Sequence, residues 1–208
     1  MKRTKQEALQ TRQAILQSAL DLFYQKGYSK TTFDQIAERI GLTKGAVYWN
    51  FKNKPDLVVA LINTYVEKKK KFLEQKVPSL KHFKDIEAYF LATTDFILSD
   101  QNALKLAFFL SLQMEWSETI ITKVLEEMKQ NTAYSFEHIK KALFEIQKNG
   151  EIRSDIDSSM LASIIFNMWC GHLEAYLSKK CATDLKIIVQ KSFDLLLNGL
   201  MRKDEQCC

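Results

Sequence analysis

Between Ala37 and Val47 the chain reads Ala-Glu-Arg-Ile-Gly-Leu-Thr-Lys-Gly-Ala-Val, the spacing of two short helices that cross steeply over a tight turn. Such a crossing needs a small residue where the helices touch, supplied by Ala37. It also needs a turn residue that tolerates positive φ, supplied by Gly41. Leu42 and Val47 close the small core beneath. Left on the outer face of the second helix are Thr43, Lys44, Gly45, Tyr48 and Trp49, side chains suited to a nucleic-acid groove. Lys44 can donate to guanine O6 and N7 or to a phosphate, Gly45 lets the backbone approach the bases closely, and Tyr48 suits a phosphate oxygen. Thr31, Thr32 and Lys54 fall at helix N-termini, where unpaired N–H groups and the helix dipole attract phosphates.

A short helix-Gly-helix also occurs in ordinary packed cores, so the charge distribution is what favours nucleic acid. Residues 1–54 hold ten Lys and Arg, with Lys5 in the leading arm, against four acids, a local charge of +6 within a chain of net +5. All the excess positive charge lies in the first quarter, which points to a polyanionic partner for that segment.

The elements that position these residues read as helices almost throughout. Leu9, Leu16, Leu20 and Phe23 repeat at helical spacing and give a first helix from about Lys5 to Lys26, with Gly27 as its stop. Thr32-Phe-Asp-Gln35 reads as a capping box opening a second helix, and Thr43 caps a third that ends near Asn50. Asn53-Lys-Pro-Asp56 opens a fourth, which runs to about Lys76 before Pro78. Further helices are predicted at about Lys84–Ser99, Asn102–Glu115, Glu118–Asn149 (one helix or two), Ser158–Lys180 and Asp184–Arg202. With only 6 Gly and 2 Pro among 208 residues, the fold class is all-α, about nine helices. The expected division is a helix-turn-helix domain over residues 1–53 and a larger helical domain over 54–208.

The stretch from Gly27 to Leu57, Gly-Tyr-Ser-Lys-Thr-Thr-Phe-Asp-Gln-Ile-Ala-Glu-Arg-Ile-Gly-Leu-Thr-Lys-Gly-Ala-Val-Tyr-Trp-Asn-Phe-Lys-Asn-Lys-Pro-Asp-Leu, resembles the signature of the TetR family. The preceding Lys2–Leu16 is similar to its AcrR-type efflux-pump repressors. The close resemblance covers roughly the first 60 residues. It implies a three-helix DNA-binding domain, a connecting fourth helix, and a ligand-binding body that dimerises through its last two helices. It assigns Thr43, Lys44, Gly45, Tyr48 and Trp49 to a recognition helix and Thr32 and Lys54 to phosphate contacts. Asn50 stands where many relatives have His. Lys44 stands where close relatives have Arg, and an ammonium cannot form the planar fork that arginine uses on guanine.

The helices beyond residue 60 are rich in aromatics and sulfur, most of it core. A ligand cavity among them would be lined by Phe90, Phe109, Gln113, Trp116, Tyr134, Asn167, Trp169 and Glu174, a few polar groups orienting a lipophilic or amphiphilic effector. Carboxylates of Glu115 or Glu174 there would suit a cationic one. Met160, Leu161, Ile164, Ile165, Met168, Leu173 and Leu177 offer one apolar dimerisation face, and Ile187, Ile188, Phe193, Leu195, Leu196 and Leu197 the other. The expectation is a homodimeric, cytoplasmic repressor, without membrane partner, cofactor or metal, that leaves operator DNA when the effector binds and controls an efflux or detoxification gene. The same fold acting as a fatty-acyl or metabolite sensor or as an activator stays open, as does, more remotely, a helical interaction module without sequence-specific DNA binding. Enzyme motifs are absent: there is no nucleophile elbow, P-loop, dinucleotide glycine motif or paired-His spacing. The four cysteines, Cys170, Cys181, Cys207 and Cys208, have no metal-ligand spacing with the three histidines and are expected to be thiols.

Overall fold

Ile15, Leu16, Ala19, Leu20, Leu22 and Phe23 share one side of helix α1 (Lys5–Lys26), and all are buried. The helix ends where Gly27 turns to φ +81°, a backbone state that costs an L side chain strain and glycine little. The computed structural model describes residues 5–115, 122, 135–180 and 182–201. They fall into two compact units. One holds the described residues up to Glu67 and from Asp100 to Thr122; the other holds Lys68–Ser99 and those from 135 onward. Trp116, Tyr134, Cys181, Cys207 and Cys208, together with most of the predicted Glu118–Asn149 helix before residue 135, lie outside the described residues.

In the first unit, Thr32 opens α2 (Phe33–Arg39) with the predicted capping box. Its hydroxyl accepts from Gln35 N at 3.3 Å while its own N–H donates to Gln35 Oε1 at 3.4 Å. Gly41 turns the chain at φ +66°, and Thr43 caps α3 (Lys44–Asn50), accepting from Ala46 N at 3.3 Å. Asn53 receives Asp56 N at 2.9 Å in the first turn of α4 (Lys54–Lys76), so the three Asx and Thr caps sit where the residue types demand. Ile36, Val47, Leu57 and Val58 are fully buried with the α1 face.

This unit also contains α6 (Gln101–Phe108), capped by Asp100, and the π-helical turn Phe109–Gln113. The predicted uninterrupted helix over Asn102–Glu115 is therefore corrected: the α-helical ladder stops at Phe108, and the wider turn swings Phe109 onto α1. There the Phe109 ring stacks on Phe23, 4.8 Å between centroids with planes 10° apart. Lys105 Nζ donates to Asp21 at 2.6 Å, and Asn102 and Gln17 exchange side-chain hydrogen bonds at 3.0 Å.

The second unit comprises the last turns of α4, α5 (Phe83–Ser99), the helical stretch 135–148 (α7), α8 (Ser158–Leu177) and α9 (Leu185–Leu200). Asp157 and Asp184 cap α8 and α9. Phe90, fully buried on α5, lies at its centre, with Phe166, Trp169 and Phe193 around it at ring distances of 5.1, 5.9 and 5.6 Å. Gln147 ties the end of α7 to the loop after it, donating to the carbonyls of Arg153 and Ile156 at 3.0 and 2.7 Å. Among the described residues there is no strand, and no helix is long and apolar enough to cross a membrane.

Candidate nucleic-acid interface

Helix α3 has seven residues and one fully buried side chain, Val47. Ala46 and Asn50 are half-buried, and the remaining residues face outward. Trp49 is 91% exposed and Tyr48 52% exposed, and Thr43, Lys44 and Gly45 are exposed as well. Two large aromatics left in water on a two-turn helix represent apolar area that burial in the fold would have stabilised, so they mark a contact surface. Tyr48 is held from behind by the Phe33 ring, 4.7 Å between centroids. The five residues that sequence spacing grouped are thus brought together on one exposed helix.

Lys44 reaches back to α2, where its ammonium lies 2.8 Å from the Asp34 carboxylate. The hydrogen bond and charge of Asp34 push its pKa up. Both partners are largely exposed, so the pair is weak and can open when a base edge or phosphate competes. Thr32 is exposed at the start of α2, and Lys5 is exposed at the start of α1.

Two of the expected phosphate contacts lie elsewhere. Thr31 is fully buried, and its hydroxyl donates to Gly27 O at 2.8 Å, so it closes the α1–α2 loop and presents nothing to a phosphate. Lys54 folds inward too. Its ammonium donates to Tyr28 O at 2.8 Å and lies 4.3 Å from the Tyr28 ring centre. Partial burial pushes its pKa down. The position of a lysine at a helix N-terminus says nothing of the nearby loop carbonyls it can cap, here those of Tyr28 and Ser29.

Arg12, which spacing did not single out, is joined to α3. Its guanidinium lies 4.2 Å from the Phe51 ring centre and donates to Asn50 O at 3.2 Å. Arg12, Tyr48, Trp49, Asn50, Phe51 and Lys52 line part of a cleft of about 380 Å³ beside the end of α3.

Two short helices, α2 and α3, packed together over the Gly41 turn with an exposed, aromatic second helix make a helix-turn-helix, and the profile of bacterial regulatory proteins of the tetR family matches residues 15–61, which span that pair and parts of the flanking helices. That match makes residues 15–61 similar to the DNA-binding region of the TetR family, and the chain is a DNA-binding transcriptional regulator. Among proteins similar to this chain, the "Probable acrEF/envCD operon repressor" of Escherichia coli K12 is 25% identical over 186 residues, covering 88% of this chain and 84% of that protein. NalD, the secondary repressor of the MexAB-OprM multidrug efflux pump in Pseudomonas aeruginosa, has a TM-score of 0.80 at 21% identity over 95% of this chain and 99% of its own. SmeT, repressor of the Stenotrophomonas maltophilia multidrug efflux pump SmeDEF, was solved in complex with triclosan; that structure has a TM-score of 0.68 at 25% identity, with 93% of each chain covered.

The described residues among those expected to line an effector cavity are divided between the two units. Phe90 and Trp169 meet in the second unit, where Trp169 Nε1–H donates to Thr94 Oγ1 at 3.0 Å. Asn167 and Glu174 are on the exposed side of α8. Phe109 and Gln113 belong to the first unit, Phe109 in its core and Gln113 with a buried Oε1 that has no hydrogen-bond partner. Glu115 pairs with Ser29 in that unit. Lys69, half-buried on α4 in the second unit, has its pKa pushed down by burial.

Proposed function

We propose that this regulator is a repressor that reads operator DNA with Thr43, Lys44, Gly45, Tyr48 and Trp49 of α3, anchors to the backbone through Lys5 and Thr32, and is released by a small lipophilic or amphiphilic ligand. The observation that carries the reading is the outward presentation of Tyr48 and Trp49 beside Lys44 on a helix whose single buried side chain is Val47. Residues 1–53 act as the reading domain and 54–208 as the body that binds ligand and a second copy of the chain. The dimer face is the apolar surface that α8 and α9 leave open: Met160, Ile164, Ile187 and Leu195 are exposed, Leu195 at 73%. Two copies paired there about a two-fold axis would read two half-sites.

The efflux connection rests on the similarity to the probable acrEF/envCD operon repressor of E. coli and to NalD and SmeT, two repressors of multidrug efflux pumps. The triclosan bound to SmeT supports a small apolar effector. Phe90, Phe166 and Trp169 supply aromatic surface for it in the second unit, and a ligand that favours one conformation of the body shifts DNA affinity by its differential affinity for the two states, typically about 1–3 kcal/mol.

The test is a salt titration of binding to a duplex from the gene's own upstream region, with wild type and Tyr48→Ala. Tight binding that weakens steeply with salt and is abolished by Tyr48→Ala is the expected result. Binding equal for every duplex and indifferent to Tyr48 would refute the assignment of α3.

A further inference from the structure

Helix α3 is short and poorly anchored for an element that must place side chains against base edges. Thr43 caps its start and Val47 roots its middle. Its end is the part that carries Trp49 and, one residue on, Asn50. There the Asn50 side chain turns back to Ala46 O at 2.9 Å, and the Phe51 N–H bonds Val47 O at 2.9 Å as the chain leaves the helix. The Asn50 carbonyl is one of the end groups no intrahelical donor reaches. Arg12 satisfies it from α1, three residues before the fully buried Ile15.

We infer that Arg12 is a positioning residue for operator recognition: it fixes the C-terminal end of α3, and with it Trp49 and Tyr48, rather than contributing charge to DNA. Two contacts of one planar group carry the argument. The guanidinium edge donates to Asn50 O at 3.2 Å while its face covers Phe51 at 4.2 Å from the ring centre. Phe51 is 3% exposed, its ring enclosed by the fold. The two contacts are roughly perpendicular requirements, an in-plane donor and a flat face, which a guanidinium meets together and an ammonium does not. Arg12 thereby sets the reading helix directly against α1. The inference rests on α3 being the reading helix.

The rival role is a phosphate contact, since Arg12 also lines the cleft with Trp49 and Lys52, and the experiment separates the two. A duplex is first enriched by the wild-type full-length protein from a random pool, and failure to enrich any duplex would count against the reading of α3 itself, not against Arg12. Binding of that duplex and of a random duplex of equal length is then measured across salt for wild type, R12K, R12Q and F51L. A positioning role predicts that R12K and R12Q lose operator affinity by about tenfold, the size of one specific contact, with random-duplex affinity and salt slope unchanged. F51L, which keeps Arg12 and its charge, loses operator affinity in the same selective manner. An unchanged operator-to-random ratio in R12K overturns the inference. So does an equal loss on both duplexes in R12Q with the salt slope reduced by about one, the mark of a phosphate contact. If R12K and R12Q fail to fold by circular dichroism, F51L decides alone, and full discrimination in F51L overturns it.

Discussion

Replacing Phe109 by alanine distinguishes a core side chain from a ligand-contacting one. The ring is fully buried and stacked face to face on Phe23, which in turn lies 5.8 Å from the Tyr28 ring. Truncating a fully buried Phe to Ala costs about 3–5 kcal/mol through lost burial and the cavity left behind. The stacked pair contributes about 0.5–1.5 kcal/mol beyond area. Against total stabilities of about 5–15 kcal/mol, that loss is large enough to read without ambiguity. The assay is equilibrium urea unfolding of wild type, F109A, F23A and the double variant. F109A should lose about 3–5 kcal/mol, and the double-mutant cycle should return a coupling of about 0.5–1.5 kcal/mol with Phe23. A loss under about 1 kcal/mol in F109A, accompanied by an altered response to an effector such as triclosan, would refute the packing argument and return Phe109 to the effector cavity.

Lys54→Met removes one of two donors to Tyr28 O, which keeps the Thr31 N–H at 3.3 Å, so the expected loss in urea unfolding is that of one hydrogen bond, about 0.5–1.5 kcal/mol; the salt slope of DNA binding should not change, and a fall of about one would make Lys54 a phosphate contact after all. Burial pushes the phenols of Tyr28 and Tyr65 up to about 12, Tyr65 with help from the Asp100 charge. An unfolded phenol titrates near 10, so the folded pKa lies above the unfolded one, and the stability each contributes is complete below about pH 10 and is lost as pH rises toward 12. Unfolding midpoints measured from pH 9 to 12 should fall less steeply for Tyr28→Phe and Tyr65→Phe than for wild type, and parallel curves would count against the shift. Leu195→Glu places a charge on the open apolar face of α9. Losing a buried leucine twice across a two-fold interface, at about 1.5–3 kcal/mol each, should raise a dimer's dissociation constant by about 100-fold or more in analytical ultracentrifugation, and an unaltered dimer would put the interface elsewhere.

How much of this was legible in the sequence depended on the range of the forces involved. Capping chemistry is local, so Thr32 with Gln35, Thr43 and Asn53 announced three helix starts that the structure bears out. Gly27 and Gly41 marked turns because only positive φ fits there. The outer face of α3 followed from Val47 being its one inward residue. What failed was long-range. Nothing near Phe109 in sequence reports that Phe23, 86 positions earlier, needs a partner for its ring. A hydrophobic period alone cannot show a π-turn, so a smooth helix through residue 115 was the natural reading. Thr31 and Lys54 misled for a related reason: their donors are satisfied by the carbonyls of Gly27 and Tyr28, and helix-terminal position does not reveal a competing acceptor. Arg12 carried one usable signal, a basic residue one turn ahead of Ile15 and Leu16, but its acceptor on Asn50 lies 38 positions away.

The contrast between Trp49, 91% exposed, and Trp169, half-buried with its indole N–H on Thr94, gives the molecule two optical labels in different media. An indole in water emits to the red of one among phenylalanine rings. With Trp116 replaced by Phe, the red edge of the emission belongs to α3 and the blue edge to the centre of the second unit. A quencher dissolved in the buffer strips the former first, and a duplex seated on α3 shields it. One cuvette, read at two wavelengths, then follows α3 and the aromatic centre of the second unit separately, in the unlabelled protein and on the same timescale.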